Sequence, residues 1–243
     1  MVLVPRGADW RAIFPRAPIA IIQAFVDGAP LLAAAGITSS RTRMAYALAN
    51  LKHESDGFSL KNLTEDIYYS AEGVAKTWPG RFSDAAAVRK AYGTGYGWQK
   101  KAIDAIYGDY MGNGHGSSDG SRFIGRGGPQ LIGREEYWQV GERCGLDLVN
   151  RPELAAEPRF QPAIFAAFWS WKGLNAQADA GNFHGCVEKW KGHRISIAEH
   201  QARMAGHDPM ISRLTNIAAL LPILENIRFA AAPATSTLRR MPG

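Results

Sequence analysis

The run Met44-Ala45-Tyr46-Ala47-Leu48-Ala49-Asn50-Leu51-Lys52-His53-Glu54-Ser55-Asp56-Gly57-Phe58 decides how the rest of the chain is read. Met44, Leu48 and Leu51 recur at steps of four and three, the spacing of one helix face. Ser39 or Ser40 stands where an N-cap belongs, and Gly57 where a helix stops. The next position on the apolar stripe is Glu54. A carboxylate that ends an apolar face is partly desolvated, and the helix C-terminus adds negative potential. Both effects raise its pKa, as a general acid working near neutral pH requires. Taken alone, the segment fits a solvated helix-end glutamate better than a catalytic one.

Working outward, most apolar segments also carry helical periodicity. Residues 17–35 predict one or two helices broken near Gly28 and Pro30. Further helices are expected over 40–55, 83–92, 98–108, 133–144, 152–156, 160–172 and 195–205. Over 211–231, Ile211, Leu214, Ile217, Leu221, Leu224 and Ile227 share one expected face. Residues 112–128 turn to Gly, Ser, Asn and Asp, a loop with a small hairpin around Arg122-Phe123-Ile124. Leu3-Val4-Pro5-Arg6-Gly7 resembles a protease-cleavable linker and is left out of the fold reasoning. The last twelve residues, with Arg239 and Arg240, read as a tail. The expected class is mainly α with one glycine-rich insertion.

Composition narrows the function classes. Hydrophobic residues make 46% of the 243 and charged residues 21%, which excludes disorder, a collagen-like chain and a disulfide scaffold. Lys and Arg outnumber Asp and Glu by 28 to 22, a surface suited to polyanions. Nucleic acid is not expected, because the basic residues form no run and the aromatics do not alternate with them. Cys144 and Cys186 lack partners at metal spacing and read as free thiols. The apolar stretch 18–37 is interrupted by Gln23, Asp27 and Pro30, so neither a signal peptide nor a membrane span is expected there.

Two further segments carry chemistry. Glu65, in Leu63-Thr64-Glu65-Asp66-Ile67-Tyr68-Tyr69-Ser70-Ala71, lies beyond a turn and is able to face Glu54 across a cleft. Two carboxylates with room for a water between them suit inverting glycoside hydrolysis. Asp56 and Asp66 are alternatives for the second carboxylate. Gly125-Arg126-Gly127-Gly128-Pro129-Gln130-Leu131-Ile132-Gly133-Arg134 allows close backbone approach to a ligand, with Arg126 and Gln130 as hydrogen-bonding groups. It is neither a Walker loop nor a dinucleotide fingerprint.

Together these segments resemble glycoside hydrolase family 19, in its endolysin-like and bacterial chitinase-like branch. His53-Glu54-Ser55-x-Gly57-Phe58 is similar to the catalytic-acid motif. Glu65 with Tyr69-Ser70-Ala71-Glu72-Gly73 resembles the next block. Tyr110-Met111-Gly112-Asn113-Gly114, then Gly125-Arg126-Gly127, Gln130-Leu131 and Gly133-Arg134 with Tyr137, resemble the cleft loop. Gly145-Leu146-Asp147-Leu148, Pro152-Glu153-Leu154, Phe168-Trp169 and Gly173-Leu174-Asn175-x-x-Ala178-Asp179 continue in order. The likeness spans about residues 15–205.

The resemblance implies a lysozyme-like, two-lobed helical domain, taken over 8–207; the periodicity beyond it adds a helix and basic tail over 208–243, expected to pack on that domain. It implies inverting cleavage of a β-1,4 bond beside an N-acetylhexosamine, without metal or cofactor. Glu54 would be the acid and Glu65 the base, with His53, Tyr69, Ser70, Asn113, Arg126 and Gln130 binding substrate. Three departures stand out. The Glu54-to-Glu65 spacing is longer than in endolysin-like members. Ile132 replaces a hydroxyl residue. Lys189-Trp190-Lys191-Gly192-His193 replaces an Ile-Asn-Gly-Gly segment. The expected activity is peptidoglycan hydrolysis of phage or prophage type by a monomer. Such a protein would be made in the bacterial cytoplasm, act on the wall in the periplasm after release, and touch an anionic membrane through its C-terminal segment. Chitin oligomers, or glycan binding without turnover, are the alternatives.

Overall fold

A computed structural model describes residues 1–59, 63–192 and 209–232. Thirteen α-helices are present among them, with one two-stranded antiparallel pairing of β1 (Val2–Leu3) and β2 (Phe229–Ala230). α1 (Gly7–Ile13), α2 (Ile19–Asp27) and α3 (Ala29–Ala34) lead to the long α4 (Arg41–Glu54). α2 and α3 break at Gly28, which lies so close to Pro162 that a Cβ would fall 2.4 Å from its ring.

α5 (Ala71–Thr77), α6 (Ala85–Tyr92) and α7 (Trp98–Ile106) form a separate lobe around Ala71, Val74, Val88, Ala102, Ile103 and Ile106. The short α8 (Asp119–Arg122) falls inside the glycine-rich loop. α9 (Gly133–Cys144), α10 (Gln161–Trp171), α11 (Leu174–Asp179), α12 (Phe183–Lys191) and α13 (Pro209–Glu225) complete the larger lobe. Its core holds Trp10, Phe14, Phe25, Phe58, Phe165, Phe168 and Trp169. The two lobes meet at consecutive residues: Phe123 belongs to the large core and Ile124 to the small one. The backbone bends at Phe123, directly after α8, with φ −108° and ψ 46°.

The expected mainly helical, two-lobed class is the one observed. The hairpin expected around Arg122-Phe123-Ile124 does not form there, because Arg122 ends α8; the short pairing comes after it, Arg126 and Leu131 exchanging backbone hydrogen bonds at 3.1 and 2.9 Å. The helix expected over 195–205, the boundary between 207 and 208, and the tail with Arg239 and Arg240 lie outside the described residues.

Two further local expectations need correction. Leu3-Val4-Pro5-Arg6-Gly7 is no detachable linker: Leu3 is buried in the core opposite Phe229, and Val4 N–H bonds to Arg228 O at 3.2 Å. The last helix stops at Glu225, not 231, where Arg41 donates to the carbonyls of Leu224, Glu225 and Ile227. Its buried side is Arg213, Leu220 and Leu224, while Ile211, Leu214 and Leu221 are exposed. Of the expected face, Leu224 and Ile227 do turn inward, but the burial of Arg213 rotates the helix so that Ile211, Leu214 and Leu221 face outward. α4, expected over 40–55 with Gly57 as its stop, runs Arg41–Glu54 with Ser55 as its C-cap, and Gly57 follows at φ 64°. Ser55 Oγ donates to Leu51 O at 2.7 Å and accepts from Phe58 N at 3.1 Å. The turn that follows swings Phe58 into the core against Phe14, ring centroids 5.0 Å apart.

Candidate active site

The sequence of α4 places Glu54 where its periodicity predicts. Met44, Leu48 and Leu51 are fully buried, and Glu54 ends their stripe with its side chain 22% exposed. Helix α13 lies across that end. Arg213, 2% exposed, donates through Nε to Asn50 Oδ1 at 2.9 Å and through Nη2 to Glu54 Oε1. Asn50 and Glu54 are one helical turn apart, so a single guanidinium fork spans both. Burial raises the Glu54 pKa, and the Glu136 charge adds to the rise. Arg213 and Lys191 oppose it without reversing it.

Glu65 sits on the small-lobe side. Its Oε2 accepts from Gly125 N–H at 3.0 Å and its Oε1 from the Tyr107 hydroxyl at 3.3 Å, while its own N–H bonds to Gly125 O at 2.8 Å. A Cβ on Gly125 would fall 3.3 Å from Glu65 Oε2 and 2.8 Å from Gln130 Oε1, so a larger residue there would push on both side chains. Three residues on, a Cβ on Gly128 would meet Leu51 at 2.7 Å and Phe58 at 2.9 Å. The loop therefore touches Glu65 at one end and the Glu54 helix at the other. Three residues reach at most roughly 10 Å, which keeps the two walls of the cleft close.

The other expected residues divide into groups. His53 does border the Glu54 end of α4, but it turns toward α13, with Nδ1 3.1 Å from Ser212 Oγ. Burial, with Arg213 and Lys191 nearby, lowers its pKa to about 4. Tyr69 lies in the field of Glu65, its hydroxyl pKa raised by burial and then by Glu65 and Asp66, with its ring edge-on to Trp78 at 5.4 Å. Ser70 caps α5 by accepting from Gly73 N at 3.0 Å. Asn113 is buried, its amide spent on Tyr107 O and Arg134 N at 2.9 and 2.8 Å. Arg126 donates to Arg122 O and the Tyr137 hydroxyl at 2.7 and 2.9 Å, and Tyr137 donates on to Ile124 O at 2.6 Å. Gln130 donates to Gly127 O at 2.8 Å. Arg126, Gln130 and Asn113 thus brace the loop that carries Gly125. Asp56 is paired with Arg16 and Asp66 binds Tyr68 N–H, both at exposed positions.

A more deeply buried carboxylate lies on α9. Glu136 accepts from Lys172 Nζ at 2.8 Å and from Ile132 N–H at 3.0 Å. Both side chains are under 10% exposed. In the departing segment, Trp190 packs on Phe168 with centroids 4.7 Å apart, and Lys191 contributes positive potential at Glu54 and His53. His193 lies outside the described residues. Among the described residues, no three His, Cys, Asp or Glu side chains converge as a metal site.

A model of glycoside hydrolase family 19, described as chitinase class I, matches residues 69–219. The chain belongs to glycoside hydrolase family 19. The matched span begins after Glu54 and Glu65 and runs through Arg213. A glycosyl hydrolase family 19 domain-containing protein of Haemophilus influenzae is 29% identical over 174 residues, 71% of this chain and 80% of its own. Inactive chitinase-like protein 1 of Hevea brasiliensis is 35% identical over 101 residues, 40% of this chain and 29% of its own. The acidic 27 kDa endochitinase of Solanum lycopersicum is 36% identical over 72 residues, 30% and 28% of the two chains. The match therefore spans under a third of either plant protein. Chitinase C of Streptomyces griseus HUT6037 superposes with a TM-score of 0.57 at 18% identity, over 92% of this chain and 94% of the other, a likeness of fold.

Within this family 19 chain, sequence reasoning missed Arg213, Tyr107, Glu136 and Lys172. Two signals were available. Asn50 interrupts the buried side of α4 one turn before Glu54, and Arg213 interrupts an apolar run. A polar residue on a buried face needs a partner, and each of these two was the other's.

Proposed function

We propose that the protein is a peptidoglycan hydrolase that cuts the β-1,4 glycan backbone with inversion, Glu54 acting as general acid and Glu65 as general base. The observation that carries this reading is the contrast between the two carboxylates. Glu54 is enclosed by α13, and burial raises its pKa, the direction a group that gives a proton to the glycosidic oxygen requires. Glu65 receives two hydrogen bonds, from Gly125 and Tyr107, and is oriented to take a proton from water. That water attacks the anomeric carbon on the face opposite the leaving group, and the product carries the inverted configuration. Solvent exchange restores both protonation states.

The formal charge of +6 favours a polyanionic wall over a neutral glycan. In this reading a monomer acts on the wall after release from the cytoplasm. Exposed Ile211, Leu214 and Leu221 on α13 are the side chains available for membrane contact. Chitin hydrolysis is the second reading, favoured by the chitinase names of the plant relatives and of the Streptomyces structure.

The test is turbidity loss on permeabilised Gram-negative cells, wild type beside Glu54→Gln. Rapid clearing that the substitution abolishes supports wall hydrolysis with Glu54 in the mechanism, and an α-anomeric product by NMR supports inversion. Wild-type turnover of chitin oligomers without clearing selects the second reading. Failure on both glycans sinks the hydrolytic assignment.

A further inference from the structure

We infer that the small lobe carries a second binding cavity, adjoining the cleft on the Glu65 side, which takes the charged peptide substituent of a wall sugar. This rests on the peptidoglycan reading and names what distinguishes that substrate from a plain amino-sugar chain.

The cavity has a volume of about 900 Å³ and is lined by Arg81, Lys101, Asp109, Tyr110, His115 and Ser117, among others. That is large enough for a short peptide or a sugar with its substituent. Two rings connect its wall to Glu65. Tyr107 donates to Glu65, and its ring centroid lies 6.1 Å from that of Tyr110, which is 41% exposed on the cavity wall.

The lining carries both signs of charge. Arg81 is anchored to Ala105 O at 3.3 Å, and Asp109 pairs with His115 Nδ1 at 2.6 Å. Lys101 has no ion-pair partner among the described residues. The wall bearing Ser117 is held in place, because Ser117 Oγ donates to Gly114 O at 2.7 Å and Asp119 accepts Gly114 N–H at 3.1 Å. A neutral N-acetylated glycan offers hydroxyls and amides, for which charges of both signs are wasted desolvation. A peptide bearing carboxylates and an amine matches Arg81 and Lys101 with its acids and Asp109 with its base.

The experiment is an amide-shift titration of the full chain carrying Glu54→Gln, which blocks turnover. The probes are an N-acetylmuramoyl tripeptide ending in lysine and N,N′-diacetylchitobiose. The tripeptide is expected to move the amides around Arg81, Lys101 and residues 115–118, and chitobiose to leave them in place. Lys101→Glu, an exposed substitution, is expected to weaken tripeptide binding about fivefold, the size of one screened charge contact. Equal shifts from both probes, or none from the tripeptide, would overturn the assignment. If wild type clears cells while the tripeptide leaves the cavity untouched, this inference alone falls. If the tripeptide fills the cavity but no cells clear, the cavity stands and the hydrolytic reading falls.

Discussion

Arg213 reaches from the C-terminal helix to the carboxylate of Glu54, 159 residues earlier in the chain, and so makes the proposed acid depend on the last helix of the fold. The same helix is gripped at its other end by Arg41, which also lies over the ring of Phe229 at 4.9 Å. α4 and α13 are thus clamped at both ends by arginines, with Leu220 and Leu224 buried between them. The stability of the fold and the protonation of its cleft are therefore coupled through one helix pair.

Removing the Arg213 charge tests that coupling. Arg213→Met takes away the group that opposes protonation of Glu54, so the basic limb of the kcat/KM profile should move to higher pH. Breaking a buried pair on one side also costs about 3 kcal/mol. A pH–rate profile and a urea denaturation series check both, and a basic limb that stays in place or moves down would sink the coupling.

Glu65 and Tyr107 separate a catalytic role from a positioning one. Glu65→Gln keeps an acceptor for Gly125 N–H but loses the base, so turnover should fall roughly 10²–10⁴-fold with little change in Tm. Tyr107→Phe removes one hydrogen bond to the base and should cost no more than about tenfold, since a single neutral hydrogen bond is worth about 1 kcal/mol. Equal losses in the two variants would argue against Glu65 as the base.

His53 gives a pH signature in stability. Its ordinary pKa of 6.5 is lowered to about 4 in the fold. The unfolded imidazole therefore binds a proton before the folded one does. The contribution of neutral His53 is complete above about pH 6.5 and is lost as pH falls toward 4, by roughly 1–2 kcal/mol after solvent screening. His53→Gln should flatten the denaturation midpoint across that window. An unchanged slope would place the acid sensitivity elsewhere.

The N-terminal segment should behave as part of the domain. Leu3 is 2% exposed within the main core, so Leu3→Ala should lower stability by about 2–3 kcal/mol. Deleting residues 1–5 should do at least as much, because β2 also loses its partner strand. A variant as stable as wild type in urea would return this stretch to the status of a linker.

The apolar periodicity of α4, the Ser40 cap, the break at Gly28 and the glycine-rich loop were all legible in the sequence, because each depends on backbone preference or on neighbours within a turn or two. Glu54 was legible for the same reason, as the last position of a stripe. The inward face of α13 was not, since burial of Arg213 depends on Asn50 and Glu54 across the fold. Nor was the structural use of Asn113 and Arg126: a side-chain amide or guanidinium in a loop looks equally fit for a ligand or for a neighbouring carbonyl, and only the distances to Tyr107, Arg122 and Tyr137 decide. Local chemistry along the chain thus determined which helices form and which carboxylates are candidates. Tertiary packing alone decided what surrounds those carboxylates, because desolvation and charge pairing act through space between residues far apart in the chain.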